Sequence, residues 1–354
     1  MRVIILLLVL FIHFKTSAQD PSGYLRMHCY TFSPSEGFTG PLGDTLARKL
    51  SAFRLIFQAE GGSHALKLYD QLELAWLEFL NQRLGVTCFI GEYGASIAVL
   101  FNQILQHGDT SIRLLRHREF LQAVYRYNLS RLPSQRLFYA GVDFERENTY
   151  IRALKLLLPG LQPADPSISS AVERIRLAPD TGFSCDDMLR FNKDLKRSLN
   201  ASETAYQQYL GANFLDFERI VRNNGSCKDR LRNRNPHLAA NIIALDQVIG
   251  ANRYYAEFGE AHTILKNKVL AGILSRSGPF QGKVAVINLY CQDCSTPEEG
   301  TSNWALKGIN ADIERYFLPL CKGDLTLFDL TGNDPSIAGY RSYGQFLIVA
   351  KRQH

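Results

Sequence analysis

Beyond Phe14 the sequence has no apolar run near the roughly 20 residues that cross a bilayer, which argues against a spanning helix in the body of the chain. Charge of one sign is also scarce. Forty Lys and Arg against 34 Asp and Glu leave a formal +6, a mild imbalance that says little about partners. The densest cationic stretch, KDRLRNRNPH at 228–237, has no interleaved aromatics of the kind that stack bases. It reads as structural or anion-facing, not as a nucleic-acid contact. Histidine is sparse too, with eight in 354 residues, so where each one stands carries information. Disorder is excluded by the composition, 46% hydrophobic and 21% charged, which is that of a globular protein with a sizeable core.

The chain opens MRVIILLLVLFIHFKTSAQD: a basic start, an apolar run from Val3 to Phe14, then small residues at Thr16 and Ala18. That is the layout of a cleavable secretory signal over residues 1–18, too short in its apolar part to anchor. An exported protein is expected, periplasmic or extracellular, with no integral membrane segment after cleavage. Losing Arg2 and Lys15 takes the formal charge from +6 to 6 − 2 = +4. The seven cysteines then sit where disulfides persist, and an odd count leaves at least one unpaired. Cys185 and Cys227 flank a polar region and could staple it, whereas Cys88 lies inside a strand and reads as a buried thiol. CQDC at 291–294 has redox spacing but no evident helix behind it. A disulfide or two buried thiols is favoured there over a redox or zinc role.

Periodicity predicts strands at FRLIFQA, VTCFIGE, RLFYAGVD, RYYAEFG, KVAVINLYC, LTLFDL and QFLIVAKR. Between the first two, Tyr69, Leu72, Trp76, Phe79, Leu80 and Leu84 recur at three and four residues, a helix from Ala65 that Gly85 stops. Strand, helix, strand makes a βαβ unit with parallel strands. Residues 19–354 therefore read as a single α/β domain: a largely parallel β-sheet core with flanking helices, a helical insert at about 160–235, and room for an antiparallel strand at the C-terminal edge.

Parallel strands share one carboxyl edge, where ligands and catalytic side chains collect. His64 follows the first strand, Glu92 the second, Asp143 the third, and Glu260 with His262 the fourth. Five titratable groups thus converge on one rim. Gly61, Gly62 and Gly259 let the backbone turn and approach a ligand there, and the first helix would aim free N–H groups at an anionic or oxyanionic species.

Two G-x-x-H motifs, GGSH at 61–64 and GEAH at 259–262, bracket the strand-ending glutamate of FIGEYGAS. In this the chain resembles the superfamily of the erythromycin esterases, the ChaN-type haem-binding lipoproteins and the Tiki/TraB proteases. It looks most like the erythromycin-esterase-like branch over about residues 50–270, through GGSHALKLYDQLELAW, FYAGVDFE and NRNPHLAANI. The resemblance implies an α/β core with a helical cover and a polar pocket around both histidines. It implies His64 as the general base that activates water, with Glu92 and His262 beside it. It also implies an arginine and an asparagine from the helix before the second motif, for which Arg230, Arg234 and Asn235 are the candidates. The esterases carry a glutamate inside the first motif; here the place is Gly62, the nearest acid is Glu60, and Glu260 lies inside the second motif. The expectation is a metal-independent hydrolase acting on an ester or related carbonyl bond of a small-molecule substrate, without a cofactor. The alternative is a haem- or divalent-metal-binding protein, or a metal-dependent protease, with His64, Glu92 and His262 as ligands.

Overall fold

The computed structural model describes residues 20–61, 67–109, 118–223, 227, 233–296, 300–304 and 309–351. The signal segment 1–18, His64, Gly62 and Arg230 lie outside the described residues. Nine strands are found among the described residues: β1 (Cys29–Phe32), β2 (Leu55–Glu60), β3 (Cys88–Gly91), β4 (Phe138–Gly141), β5 (Tyr254–Gly259), β6 (Val284–Thr296), β7 (Gly300–Trp304), β8 (Leu325–Asp329) and β9 (Phe346–Lys351). They form one sheet in the order β1-β8-β9-β6-β2-β5-β3-β4, with β7 paired to β6. The pairs joining β9, β6, β2, β5, β3 and β4 are parallel. Antiparallel pairing is confined to β1 with β8, β8 with β9, and β6 with β7.

All seven strands expected from periodicity are present. The two additional ones, β1 and β7, are short and lie outside the parallel core. Three of the four residues of β1 are half-buried and one is exposed, so it has no apolar alternation to announce it. As the βαβ unit implies, β2 and β3 run parallel, and β5 lies between them. A strand distant in sequence thereby brings the second motif alongside the first strand, with Glu60 opposite Gly259 in the β2–β5 register.

Central strands buried on both faces read as continuous apolar runs, and β2 is buried from Leu55 to Ala59. Its side chains alternate between two cores. Ile56 joins the cluster of helices Gly40–Leu50, Lys67–Leu84, Ala95–His107 and Arg118–Leu129 on one face. Leu55 and Phe57 join helices Arg234–Ile249 and Leu270–Leu274 on the other. In the helix Lys67–Leu84, Tyr69, Leu72, Trp76 and Leu80 are almost wholly buried, each worth on the order of 2 kcal/mol of hydrophobic stabilisation. Gly85 ends the helix with φ +70°, and its N–H closes on the Asn81 carbonyl, a left-handed stop that a side chain would strain.

Between β4 and β5 the chain is helical, with helices Pro166–Leu177, Cys185–Ala201, Glu203–Leu210 and Phe214–Arg222 sharing an apolar cluster with Ala95 and Val99 of the helix after β3. Cys185 and Cys227 are joined in a disulfide across 42 residues, a cross-link that stabilises by about 3–4 kcal/mol in the chain-entropy account. It fixes the chain shortly before Arg234. Cys291 is also disulfide-bonded, while Cys29, Cys88 and Cys321 are free thiols. Burial pushes the Cys88 thiol up to about 12, so it is an inert core residue, as its strand position implied. Among the described residues no helix is long and apolar enough to cross a membrane.

Candidate active site

Four parallel strands, β2, β5, β3 and β4, end at the same edge, and their register sets the site. Gly91 lies opposite both Glu257 and Gly141, so Glu92, one residue on, emerges between the ends of β4 and β5. The Gly259 N–H donates to Glu92 Oε2 at 2.9 Å, and the Asp143 N–H donates to the Tyr93 carbonyl at 2.9 Å. Another acid supports this edge from below. Glu145, 2% exposed, accepts from the N–H groups of Ala95 and Ser96 at 2.8 and 3.0 Å, capping the helix that follows β3.

Arg234 stands at the centre of the cluster. It opens the helix Arg234–Ile249, and its guanidinium meets three predicted groups at once. Two nitrogens bind Asp143, Nη2 to Oδ2 at 2.6 Å and Nε to Oδ1 at 3.3 Å. Nη2 also lies 2.7 Å from Glu92 Oε1, and Nη1 lies 3.3 Å from His262 Nε2. The paired nitrogens on Asp143 exploit the planar fork that lysine lacks. His262 Nε2 is in turn 3.1 Å from Glu92 Oε1. On the other side of the ring, Nδ1 makes a short hydrogen bond with Asn235 Oδ1. Asn235 is held by its own amide, which donates to the Lys268 carbonyl at 3.1 Å. Because an amide oxygen only accepts, Nδ1 carries the hydrogen. Nε2 is then free to accept from Arg234 when the ring is neutral and to donate to Glu92 once it is charged. Burial alone would raise the Glu92 carboxyl. The hydrogen bond and charge of His262, then the charge of Arg234 and the Gly259 N–H, outweigh it and hold the carboxyl at about 2.

Five of the residues expected at the site, Glu92, Asp143, Arg234, Asn235 and His262, are thus in one bonded network. Glu60 ends β2 and lines a cavity of about 280 Å3 together with Glu92 and Arg234. Glu260 shares the short helix Glu260–Thr263 with His262, and its charge reaches the Tyr69 hydroxyl. A second cavity of about 610 Å3 is lined by Arg234, Asn235, His262 and Lys268. Arg234 borders both. His64, the third ligand of the metal alternative, lies outside the described residues. The guanidinium already touches Glu92 and His262, and among the described residues no group of three His, Cys, Asp or Glu side chains is placed to hold a metal ion.

Two acids were missed. Glu73, from the helix Lys67–Leu84, and Glu257, from β5, line the 280 Å3 cavity and are hydrogen-bonded to each other. Burial raises both well above the ordinary range; Glu73 and Glu60 add to it at Glu257, while at Glu73 the hydrogen bond with Glu257 opposes it and Glu60 and Asp70 add to it. The sequence carried a signal for each. Glu73 falls on the apolar stripe, four residues after Tyr69 and three before Trp76, and Glu257 interrupts the apolar run of β5. A charge at a core position is the rarer and more informative observation.

No family model matches the chain, and no curated protein matches it by sequence. Three solved structures are similar in fold. One is a Bacillus cereus protein, 13% identical, with a TM-score of 0.68 over 94% of this chain and 98% of that one. A succinoglycan biosynthesis protein is 11% identical, with a TM-score of 0.67 over 95% and 97%. An erythromycin esterase, solved as a histidine-to-asparagine variant in its open conformation, is 12% identical, with a TM-score of 0.61 over 88% and 93%. At such identities the likeness is one of fold, and it places this chain in a distant structural relationship with an erythromycin esterase.

Proposed function

We propose that the protein is an exported hydrolase that cleaves an ester or related carbonyl bond with a histidine-activated water at the carboxyl edge of the sheet. The observation that carries this reading is the Glu92–His262–Arg234–Asp143 network at that edge. A histidine oriented by an amide on one nitrogen and flanked by a carboxylate and a guanidinium on the other is equipped to change protonation state. In the reaction, water oxygen adds to the carbonyl carbon while its proton passes to an imidazole. The C–O bond then breaks, and the departing alkoxide takes that proton. His64, which follows β2 in sequence, is the residue we assign to activating the water. His262 and Arg234 oppose the charge on the carbonyl oxygen, and Glu92 holds His262 in place and balances its charge. The fold shared with an erythromycin esterase supports the assignment without naming a substrate.

The test is turnover of a panel of esters and lactones by the wild type and by His64→Ala, His262→Ala and Glu92→Gln. Loss of general-base catalysis lowers kcat by roughly 100- to 10,000-fold in the histidine variants. Unchanged turnover in both would remove the reading. Inhibition of the wild type by chelators, or a Soret band on adding haem, would turn the same residues to metal-dependent proteolysis or to haem binding.

A further inference from the structure

The 280 Å3 cavity is more acidic than hydrolysis of an ester requires. Glu73 and Glu257 lie in it, hydrogen-bonded to each other, and Glu60 adds a third carboxyl. Tyr93, Phe101, Phe120 and Tyr139 give it an aromatic wall. The Arg234 guanidinium at its border is already engaged by Glu92 and Asp143, and Arg146 stacks over the Tyr93 ring at 5.4 Å. A second observation is independent of the acids. Tyr139 is 5% exposed, and its hydroxyl has no hydrogen-bond partner among the described residues. Space is kept for that hydroxyl at Gly91, where an added Cβ would stand 1.9 Å from it. Buried polar groups are satisfied in the great majority of cases, so an orphaned phenol in a cavity wall marks a place where a ligand completes the bonding.

We propose that this cavity is a subsite for an organic ammonium group carried by the substrate, seated between the Glu73–Glu257 pair and the aromatic wall, with the Tyr139 oxygen accepting one of its N–H bonds. The inference rests on the hydrolase reading for the statement that the ammonium belongs to a substrate; the binding itself does not depend on it. Carboxylates and aromatic faces are the two surfaces that select an alkylated or primary ammonium over a neutral group of equal size. A bare metal ion is a poorer occupant, since no three ligating side chains among the described residues converge to hold one. The groups acting on the pair are Glu60 from β2, Asp70 and Tyr69 from the helix Lys67–Leu84, Tyr255 from β5 and Tyr139 from β4, and Glu92, Arg146 and Arg234 line the same cavity. Burial, with Glu60 beside both acids, raises the two carboxyls well above the ordinary range. An arriving ammonium favours the ionised form, so binding releases a proton and strengthens as pH rises.

The experiment is calorimetric titration of the full-length protein with hexylammonium and with hexanol, its neutral counterpart, at pH 7.5. The wild type is expected to bind the ammonium at least about tenfold more tightly. Glu73→Gln/Glu257→Gln should remove that preference and leave hexanol unchanged, and Tyr139→Phe should weaken the ammonium by about threefold. Equal affinity for the two probes in the wild type overturns the proposal, and that comparison needs no variant to fold. Retained preference in a folded double variant overturns it as well. If ester turnover is absent while the ammonium still binds selectively, the hydrolase reading fails and the subsite stands. If neutral esters are turned over and the preference is missing, the subsite alone fails.

Discussion

Glu92 follows the end of β3 and Glu257 lies within the adjacent β5, where Gly91 is its register partner, yet their carboxyls are shifted in opposite directions. Both are sheltered, so burial pushes both upward. What separates them is who stands opposite. Glu92 faces a guanidinium at 2.7 Å and an imidazole at 3.1 Å, whereas Glu257 faces Glu73 and Glu60. One edge of one sheet therefore offers a carboxylate held low within a bonded network and, beside it, an acid raised well above the ordinary range. Two carboxyls driven apart in this way are a common arrangement in sites that divide acid from base roles. The cause here is a single helix N-terminus: Arg234 reaches β3 and β4 but not the Glu73–Glu257 pair.

Arg234→Met is the change that should erase this contrast. It leaves Glu92 and Asp143, whose side chains are 19% and 9% exposed, without their shared cation. Breaking a buried ionic group by removing one partner costs about 3–5 kcal/mol, read as a lower urea midpoint at unchanged slope. The Glu92 carboxyl should rise toward that of Glu257 in an NMR titration, and hydrolysis should fall with it. A variant as stable as the wild type, with Glu92 still titrating near its native value, would mean that His262 alone separates the two acids.

How much of this could be seen beforehand depends on what each residue's neighbours in sequence reveal. The seven core strands were legible because burial on both faces writes a continuous apolar run, and the rim followed from their shared direction. Glu92, Asp143 and His262 stand directly after strand ends, so their placement needed only that direction. Arg234 and Asn235 came from the resemblance to esterases, since nothing local says which side a helix N-terminus faces. The strand order was not legible. That β5 lies between β2 and β3 is decided by contacts almost 200 residues apart in sequence, and the pairing of Glu73 with Glu257 is a consequence of it. His64 and Arg230 lie outside the described residues, and their roles stay with the proposal.

The comparison sharpens further in the pH dependence of stability, where the two kinds of acid act on opposite limbs. Glu92 is held at about 2 in the folded protein against an ordinary 4.5. Its contribution is fully present above 4.5 and is lost as pH falls toward 2, worth at most about 3 kcal/mol. Glu73 and Glu257 are raised, so the folded state keeps protons that the unfolded chain gives up. Their effect is a loss of stability as pH rises above 4.5. In chemical denaturation across pH 3–9, Glu92→Gln should flatten the acid limb, and Glu257→Gln the alkaline one. If either substitution flattened the other limb, the assignment of opposite shifts would be wrong.

Tyr139→Phe should have the smallest effect on stability, and it tests the acidic side of the comparison most narrowly. Its phenol lies among Tyr93, Glu73, Glu257 and Glu92, with no hydrogen-bond partner among the described residues. Removing a hydroxyl with no partner among the described residues relieves a desolvated group, so stability should hold or rise by up to about 1 kcal/mol. The ring remains to pack against Phe89 and Phe101, at centroid distances of 5.0 and 4.9 Å. A fall of more than about 1 kcal/mol in the midpoint-derived free energy would mean that the hydroxyl is bonded in the unliganded protein. The cavity would then be complete by itself, and the ammonium would lose the acceptor that distinguishes its seat from a cluster of buried acids.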